Sequence, residues 1–410
     1  MNNTPELLSP AGDLDKMRFG IAYGADAVYM AGTRFGMRAA ATNFDDNALR
    51  EGIAYAHAHG VKCYITVNIM PSNRDLPALP AYLELLQDAG ADALIIADVG
   101  VLRMARRYAP KVPVHISTQT SILNHEAANY WADEGAERIV LARELSLEEI
   151  AEIRAKTPKE LEIEAFVHGA MCISYSGRCL ISQYMTGRDA NHGACAQPCR
   201  WNYSLMEEKR PGQFFPVEED GRGTYLYNSK DMCMIEHVPE LIEAGITSFK
   251  IEGRNKTAYY AACVTGAYRA AIDTYKKNPE NFVLPQFCRD EVNKVSHREY
   301  YTGFYFGNQE NGQHYGDSQY IREYEVVGMP VECDDSGKAV FALKNRFFDG
   351  EELELIQPGQ APYTFCAKNV TDDEGTEREL FNVPQMRVHF AFPFKVSEWA
   401  ILRKAKERPE

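Results

Sequence analysis

Along the first 280 or so residues, short runs of apolar and β-branched residues alternate with longer segments whose apolar positions recur at helical spacing. The runs are ELLSPAG, AVYMAG, KCYITVNIM, ALIIAD, PVHISTQ, RIVLARE, IEAFVHG and SFKIEGR, which makes eight. Helices are predicted between them over 13–23, 45–59, 79–89, 101–108, 124–134, 146–156, 234–244 and 256–277. Gly24, Gly90, Gly135 and Gly245 stand where a helix must stop and a strand begin, the place for a glycine C-terminal cap. Strand–helix units repeated eight times predict the α/β class and a (β/α)8 TIM-like barrel, whose usual size is ~250 residues. A doubly wound open sheet is the second choice, but no glycine-rich dinucleotide turn follows the first strand.

The rhythm breaks after the seventh run. A long cysteine-bearing insertion, 169–233, follows strand 7, and it leaves the C-terminal end of a strand, where such barrels keep their chemistry. After residue 278 the pattern changes again. Residues 279–320 combine a helical piece with a Gly- and Tyr-rich linker, and 321–403 alternate between turns at 334–337, 348–350 and 372–375. Short strands spaced roughly 8 to 12 residues apart predict a small C-terminal β-barrel domain. The expected division is therefore a barrel over 1–278, the linker, the β domain, and a charged tail over 404–410.

Composition, 45% hydrophobic and 25% charged over 410 residues, is that of an ordinary globular protein. The opening MNNTPELLSPAGD has no basic start before an apolar run, and no segment reaches the ~18 uncharged apolar residues of a membrane span. A cytoplasmic protein that does not enter the membrane is expected. The 44 basic residues are outnumbered by 58 acidic ones, a net charge of −14 that repels polyanions at long range. Charge by itself thus favours a small-molecule or protein substrate over nucleic acid. Two basic groups stand out, Arg103, Arg106, Arg107 and Lys111, and Arg403, Lys404, Lys406 and Arg408. Their simplest readings are a solvated helix face and a frayed end.

Ten cysteines in a reducing cytoplasm do not imply disulfides. Five of them, Cys172, Cys179, Cys195, Cys199 and Cys233, fall within residues 164–233, while Cys63, Cys263, Cys288, Cys333 and Cys366 are scattered and read as buried small apolar groups. Only Cys195 and Cys199 approach the close pairing usual for structural zinc. An iron–sulfur cluster needs four converging thiolates from any spacing, so it is the first reading, zinc the second and inert thiols the third. His168 lies near Cys172, which admits a thiol nucleophile with its base, yet that leaves four further cysteines unexplained.

Polar residues at the predicted strand ends form a second constellation: Ser9, Asn68, Asp98, Gln119, Glu144, His168, Lys250, Glu252 and Arg254. A barrel would bring them to one mouth, where Lys250 and Arg254 suit a small anionic substrate. The motif NSKDMC adds Asn228, Lys230 and Asp231, with Ser229 or Asp231 equally able to cap the helix that follows. Substrate-binding candidates are accordingly Lys250, Arg254, Gln119, Asn68, Asn228 and Lys230, and catalytic candidates His168, Glu252 and Asp231.

At EAFVHGAMCISYSGRCLIS the sequence resembles the signature of the collagenase-like peptidase U-32 family. ELLSPAG, GADAVYMAG, STQTS, LARELSLEEI, GRDANHGACAQPCRW, NSKDMC and SFKIEGR extend the resemblance over nearly the whole chain. Length and the short C-terminal β domain are most similar to the branch needed for 5-hydroxyuridine in tRNA. That resemblance implies an enzyme that hydroxylates wobble uridine 34 without oxygen, with a 4Fe-4S cluster as cofactor and prephenate as co-substrate. Its implied partners are tRNA and a small carboxylate metabolite, with a paralogous protein as a further candidate. The four cluster ligands carry over to Cys172, Cys179, Cys195 and Cys233, with Cys199 as the alternative fourth ligand. Relatives hydroxylating ribosomal RNA or quinone precursors, and a peptidase acting on collagen-like chains, are the alternatives. RNA binding by an acidic chain requires its charges to segregate into a local basic patch.

Overall fold

The computed structural model describes residues 4–37, 42–172, 179–201, 204–205, 215–216, 230–307 and 320–406. Seven parallel strands, β1 (Glu6–Pro10), β2 (Ala27–Met30), β3 (Lys62–Val67), β4 (Ala93–Ile96), β5 (Val114–Ile116), β6 (Arg138–Val140) and β7 (Glu162–Ala170), pair in chain order. An eighth strand, Ser248–Ile251, pairs in parallel with both β7 and β1 and closes the ring. The predicted TIM-like barrel is therefore the fold.

Its helices begin where short polar side chains can satisfy the first free N–H groups. Asp13, Asp45, Asp98, Asn124, Ser146 and Thr257 each accept a hydrogen bond from a backbone N–H one turn on, and Ser146 with Glu149 completes a capping box. Each such cap stabilises its helix by about 1 kcal/mol. The four glycines expected to end helices all have positive φ, where a side chain would be strained.

Alternation along the strands sends one set of side chains into the barrel and the other under the helices. Leu8, Tyr29, Tyr64, Ala93 and Ile95 form an apolar cluster apart from the main core. Charged residues complete the interior. Arg138, at the start of β6, donates to Glu6 at 2.6 Å, to Glu162 at 2.7 Å, to Glu164 at 3.1 Å and to the Ser248 hydroxyl at 3.2 Å. These residues begin, or nearly begin, their strands, so the network forms the floor of the barrel.

The insertion returns to the strand it left. Its last segment, Asp231–Cys233, pairs antiparallel with the end of β7, setting Cys233 opposite His168, and Tyr300–Tyr301 pairs with it in turn. Residues 179–201 include the short helix Ile181–Thr186 and lie against the third strand's exit, where Met70 N donates to the Asn191 carbonyl at 3.1 Å.

The C-terminal part is a seven-stranded antiparallel sheet running from Tyr324–Cys333 to Ile401–Ala405 in sequence. Phe341, Phe347, Phe381, Phe390 and Phe392 fill its core. One expectation fails here: Arg403 and Lys404 are not a frayed end but belong to a central strand of this sheet, with Arg403 wholly buried. Its guanidinium is neutralised by Glu291 from the barrel side and by Glu354, and it donates to the Tyr259 hydroxyl at 3.1 Å. A buried arginine so paired fixes the sheet against the barrel, as does the Tyr23 hydroxyl bonded to the Trp399 carbonyl at 3.0 Å. Residues 407–410 of the expected charged tail lie outside the described residues. Cys63, Cys263 and Cys288 are buried as expected, whereas Cys333 and Cys366 end sheet strands and are exposed. Among the described residues no helix is long and apolar enough to cross a membrane.

Candidate functional site

At the C-terminal ends of the strands lies a cavity of about 140 Å³. Its walls come from two sources, the strand ends and the insertion. The strand ends bring Asn68, Gln119, Lys250, Glu252 and Arg254, five of the residues predicted to meet at the mouth. From the insertion come Cys172, Cys179, Cys195 and Cys199, four of the five clustered thiols.

Lys250 rises from the eighth strand into a fully protein-lined position. Its ammonium is 2.5 Å from Glu164 Oε1 and 4.5 Å from the centre of the Tyr29 ring. Burial lowers its pKa, and Glu164 partly restores it. Arg254 is 3% exposed and donates to the Met37 carbonyl. Close approach at this rim demands glycine: Gly169 has φ +108°, and a Cβ there would fall 2.5 Å from the Glu252 carbonyl oxygen. Replacing it would push apart the ends of the seventh and eighth strands.

Several buried polar atoms on this cavity have no hydrogen-bond partner among the described residues: Thr66 Oγ1, Gln119 Nε2, Arg143 Nε and Asn191 Oδ1. Groups of this kind cost about 1–3 kcal/mol each when left unsatisfied, so native structures seldom keep several in one place without a ligand to meet them. Arg143 was missed by the strand-end reading, which chose its neighbour Glu144. The right loop was legible, but the residue that turns inward was not. Here Arg143 donates to the Ala170 carbonyl at 3.0 Å and lies 3.9 Å over the Phe166 ring. Asn191 and Thr66 carried no signal of their own.

Other candidates are placed elsewhere. His168 is 1% exposed and surrounded by Tyr260, Tyr268 and Tyr300, with its Nε2 3.3 Å from the Tyr300 hydroxyl. Burial, then the charges of His297 and Lys256, pushes its pKa down to about 3, so it is a neutral core histidine. Asp231 is buried and accepts from Arg298 N at 3.2 Å, while Lys230 pairs with Glu299 at 3.1 Å. Neither lines the cavity. Ser9 bonds to Thr265 under the helical layer, and Asp98 caps its helix. Asn228 lies outside the described residues.

Cys233 stands on the returning strand beside His168 rather than on the cavity, and burial raises its thiol to about 12. Cys195 Sγ accepts from Gln197 N at 3.3 Å. Four thiols outside any disulfide line the cavity, and thiolates are the donor type that iron–sulfur clusters use. Among the described residues, however, no three His, Cys, Asp or Glu side chains form a ready-made metal cage. The thiols share a wall, and holding a cluster would require them to draw together.

Residues 12–315 match peptidase family U32, and residues 322–403 match the C-terminal domain of the same family. The chain belongs to peptidase family U32. Among its U32 relatives, tRNA hydroxylation protein P1 of Bacillus subtilis is 39% identical over 404 residues, covering 98% of this chain and 95% of the relative. The tRNA hydroxylation protein P of Escherichia coli is 37% identical, covering 90% of each chain. A more distant arrangement is the Escherichia coli 23S rRNA 5-hydroxycytidine C2501 synthase, 40% identical over 80% of this chain but only 48% of that one. Thus the U32 fold is shared with proteins named for RNA hydroxylation despite the family's peptidase title.

Proposed function

We propose that this U32 protein is an RNA hydroxylase whose target is the wobble uridine of tRNA. The observation that carries the reading is a cavity lined by four thiols and by buried polar groups that lack partners among the described residues. Relatives named as tRNA hydroxylation proteins, similar to this chain along nearly its whole length, support the choice of RNA.

Replacing a pyrimidine C5–H by C5–OH withdraws two electrons from the base. Without molecular oxygen, the oxygen atom and the electron acceptor must both come from other partners. The proposed co-substrate is prephenate, a hydroxyl-bearing dicarboxylate, as the oxygen source, and the proposed cofactor a 4Fe-4S cluster that would pass the two electrons, one at a time, to an external one-electron acceptor. Cys172, Cys179 and Cys195 would hold it, with the fourth thiolate from Cys233 or from Cys199. This chain's own part is positioning. Lys250, Arg254 and Arg143 would neutralise carboxylates, Gln119 Nε2 would donate to an oxygen, and Thr66 and Asn191 could complete the orientation. Glu252, the carboxylate on the cavity wall, is the proton acceptor within reach of its contents.

A peptidase reading would need a base beside Cys172, and His168 is instead enclosed among tyrosines. Nucleoside analysis of bulk tRNA from a strain lacking this protein and any paralogue tests the proposal. Loss of 5-hydroxyuridine and its derivatives, restored by this chain, is expected. Unchanged tRNA with a loss of hydroxycytidine from 23S rRNA would move the substrate to the ribosome.

A further inference from the structure

Beside the thiol-lined cavity lies a larger cleft of about 890 Å³, between the barrel mouth and the C-terminal sheet. The two spaces share Arg143, Cys172, Cys195, Cys199 and Glu252 on their walls. Whatever enters the cleft therefore reaches the thiols. Its volume is in the range of sites that enclose a ligand, ~300–1,000 Å³.

Charge in the cleft runs against that of the whole chain. Arg143, Arg188, Lys256, Arg322 and Lys344 line it, with Glu252 the sole carboxylate among the described residues that line it, although acidic residues outnumber basic ones by 58 to 44 overall. Arg188 Nε donates to the Ala194 carbonyl and Arg322 Nε to the Ser296 hydroxyl. No carboxylate pairs with Arg188, Arg322 or Lys344 among the described residues, which leaves their charge for something else. The second feature is aromatic. Tyr259, Tyr260, Tyr320 and Tyr324 line the same walls, and Lys256 Nζ lies 4.4 Å and Arg322 Cζ 5.8 Å from the Tyr320 ring centre.

We propose that this cleft binds a single-stranded loop of RNA, an inference that rests on the RNA-hydroxylase reading. Cations spaced along a groove match phosphates, and the partly exposed rings of Tyr320 and Tyr324, unlike the buried Tyr259 and Tyr260, offer stacking faces to splayed bases, the combination by which single-stranded RNA is held. The sheet supplies one wall through Tyr324 and Lys344 and the barrel the other through Lys256 and Tyr260. Docking by the buried Arg403 keeps the two walls in register. The basic group of the helix Val99–Tyr108 differs in kind: Arg106 is engaged by Glu134, and none of the four residues lines the cleft.

The test uses anaerobically purified protein and a fluorescein-labelled tRNA anticodon stem-loop with uridine at the wobble position. Arg322→Glu combined with Lys344→Glu should weaken binding by about tenfold or more and reduce the salt dependence of log Kd by ~0.7 for each phosphate no longer neutralised. Arg103→Glu combined with Arg107→Glu should change affinity less than twofold. Tyr320→Ala should weaken binding several-fold and Tyr320→Phe restore it, which separates stacking from a hydroxyl contact. Far-UV circular dichroism confirms folding of each variant. Stem-loop binding by the Arg322/Lys344 variant equal to that of the parent overturns the cleft while leaving the hydroxylase reading intact. Absence of RNA binding by the parent overturns both. Polyglutamate bound as tightly as the stem-loop would assign the cleft to acidic protein partners instead.

Discussion

At the floor of the barrel Arg138 meets three carboxylates and a hydroxyl, and the Tyr64 ring lies beneath its guanidinium. At the mouth Arg143 meets a carbonyl oxygen and a ring, and its Nε has no partner among the described residues. Both arginines are almost completely buried, at 2% and 7% exposure. The difference lies in how far their hydrogen-bonding capacity is used. A saturated network at the floor can do nothing but hold β1, β6, β7 and the eighth strand together. Unsatisfied donors at the mouth cost stability and are the groups that a ligand can complete. Buried charge in this barrel is thus fully paired at one end and only partly satisfied at the other, and only the partners tell them apart.

Three experiments can break or sharpen this contrast, taken in order of their effect on stability. Arg138→Met leaves Glu6 and Glu162 without their shared cation and Glu164 with Lys250 alone, and should cost ~3–5 kcal/mol in urea unfolding at pH 7. The deficit should shrink on acidification, as those carboxylates take up protons. A variant as stable as its parent would show that the floor is not held by charge.

The second experiment asks whether His168 belongs to the core or to the mouth. Its pKa is about 3 when folded against ~6.5 in an unfolded chain, so below pH 6.5 the unfolded state binds a proton that the native state refuses. Stability should therefore fall by ~1.4 kcal/mol per pH unit from this group as pH drops from 6.5 toward 3. His168→Gln should remove that component from the measured pH dependence. An unchanged acid limb would return His168 to the solvent-connected, catalytic groups.

The smallest stability effect is expected at the thiols. Replacing Cys172, Cys179 or Cys195 by Ser should shift the unfolding free energy of the metal-free protein by less than ~1 kcal/mol, since none is fully buried. The same substitutions should abolish iron and sulfide binding after anaerobic purification. Of Cys199→Ser and Cys233→Ser, one should lose iron and the other keep it, which names the fourth ligand. Iron retained by all five variants would remove the cluster from the site.

Much of this could be read from the chain because local rules govern it. Caps at Asp13, Asp45, Asn124 and Ser146 and glycine turns at Gly24 and Gly135 place helices within a residue or two, since each depends on neighbours three or four positions away. The strand-end rule found Asn68, Gln119, Lys250, Glu252 and Arg254 for the same reason: in a closed barrel, position along a strand decides the end at which a residue emerges. It did not bring His168 to the cavity, nor did the NSKDMC motif bring Asp231 there, because β7 runs on past the ring and pairs with the returning insertion. No local signal announces that pairing. Arg403 failed likewise, because a charged residue near a terminus looks solvated until the Glu291 and Glu354 carboxylates are seen around it.

The sequence by itself therefore determined the number of strand–helix units, the direction in which each strand presents its ends, and the supply of thiols after the seventh strand. Those follow from periodicities of two and about three and a half residues and from a single long insertion. Tertiary structure alone decided which of the thiols line the cavity, which arginine is saturated and which is not, and that an acidic chain sets five of its cations around a tyrosine-lined cleft. Each of these depends on contacts between residues tens to hundreds of positions apart, which closure of the barrel and docking of the sheet create, and which no local pattern encodes.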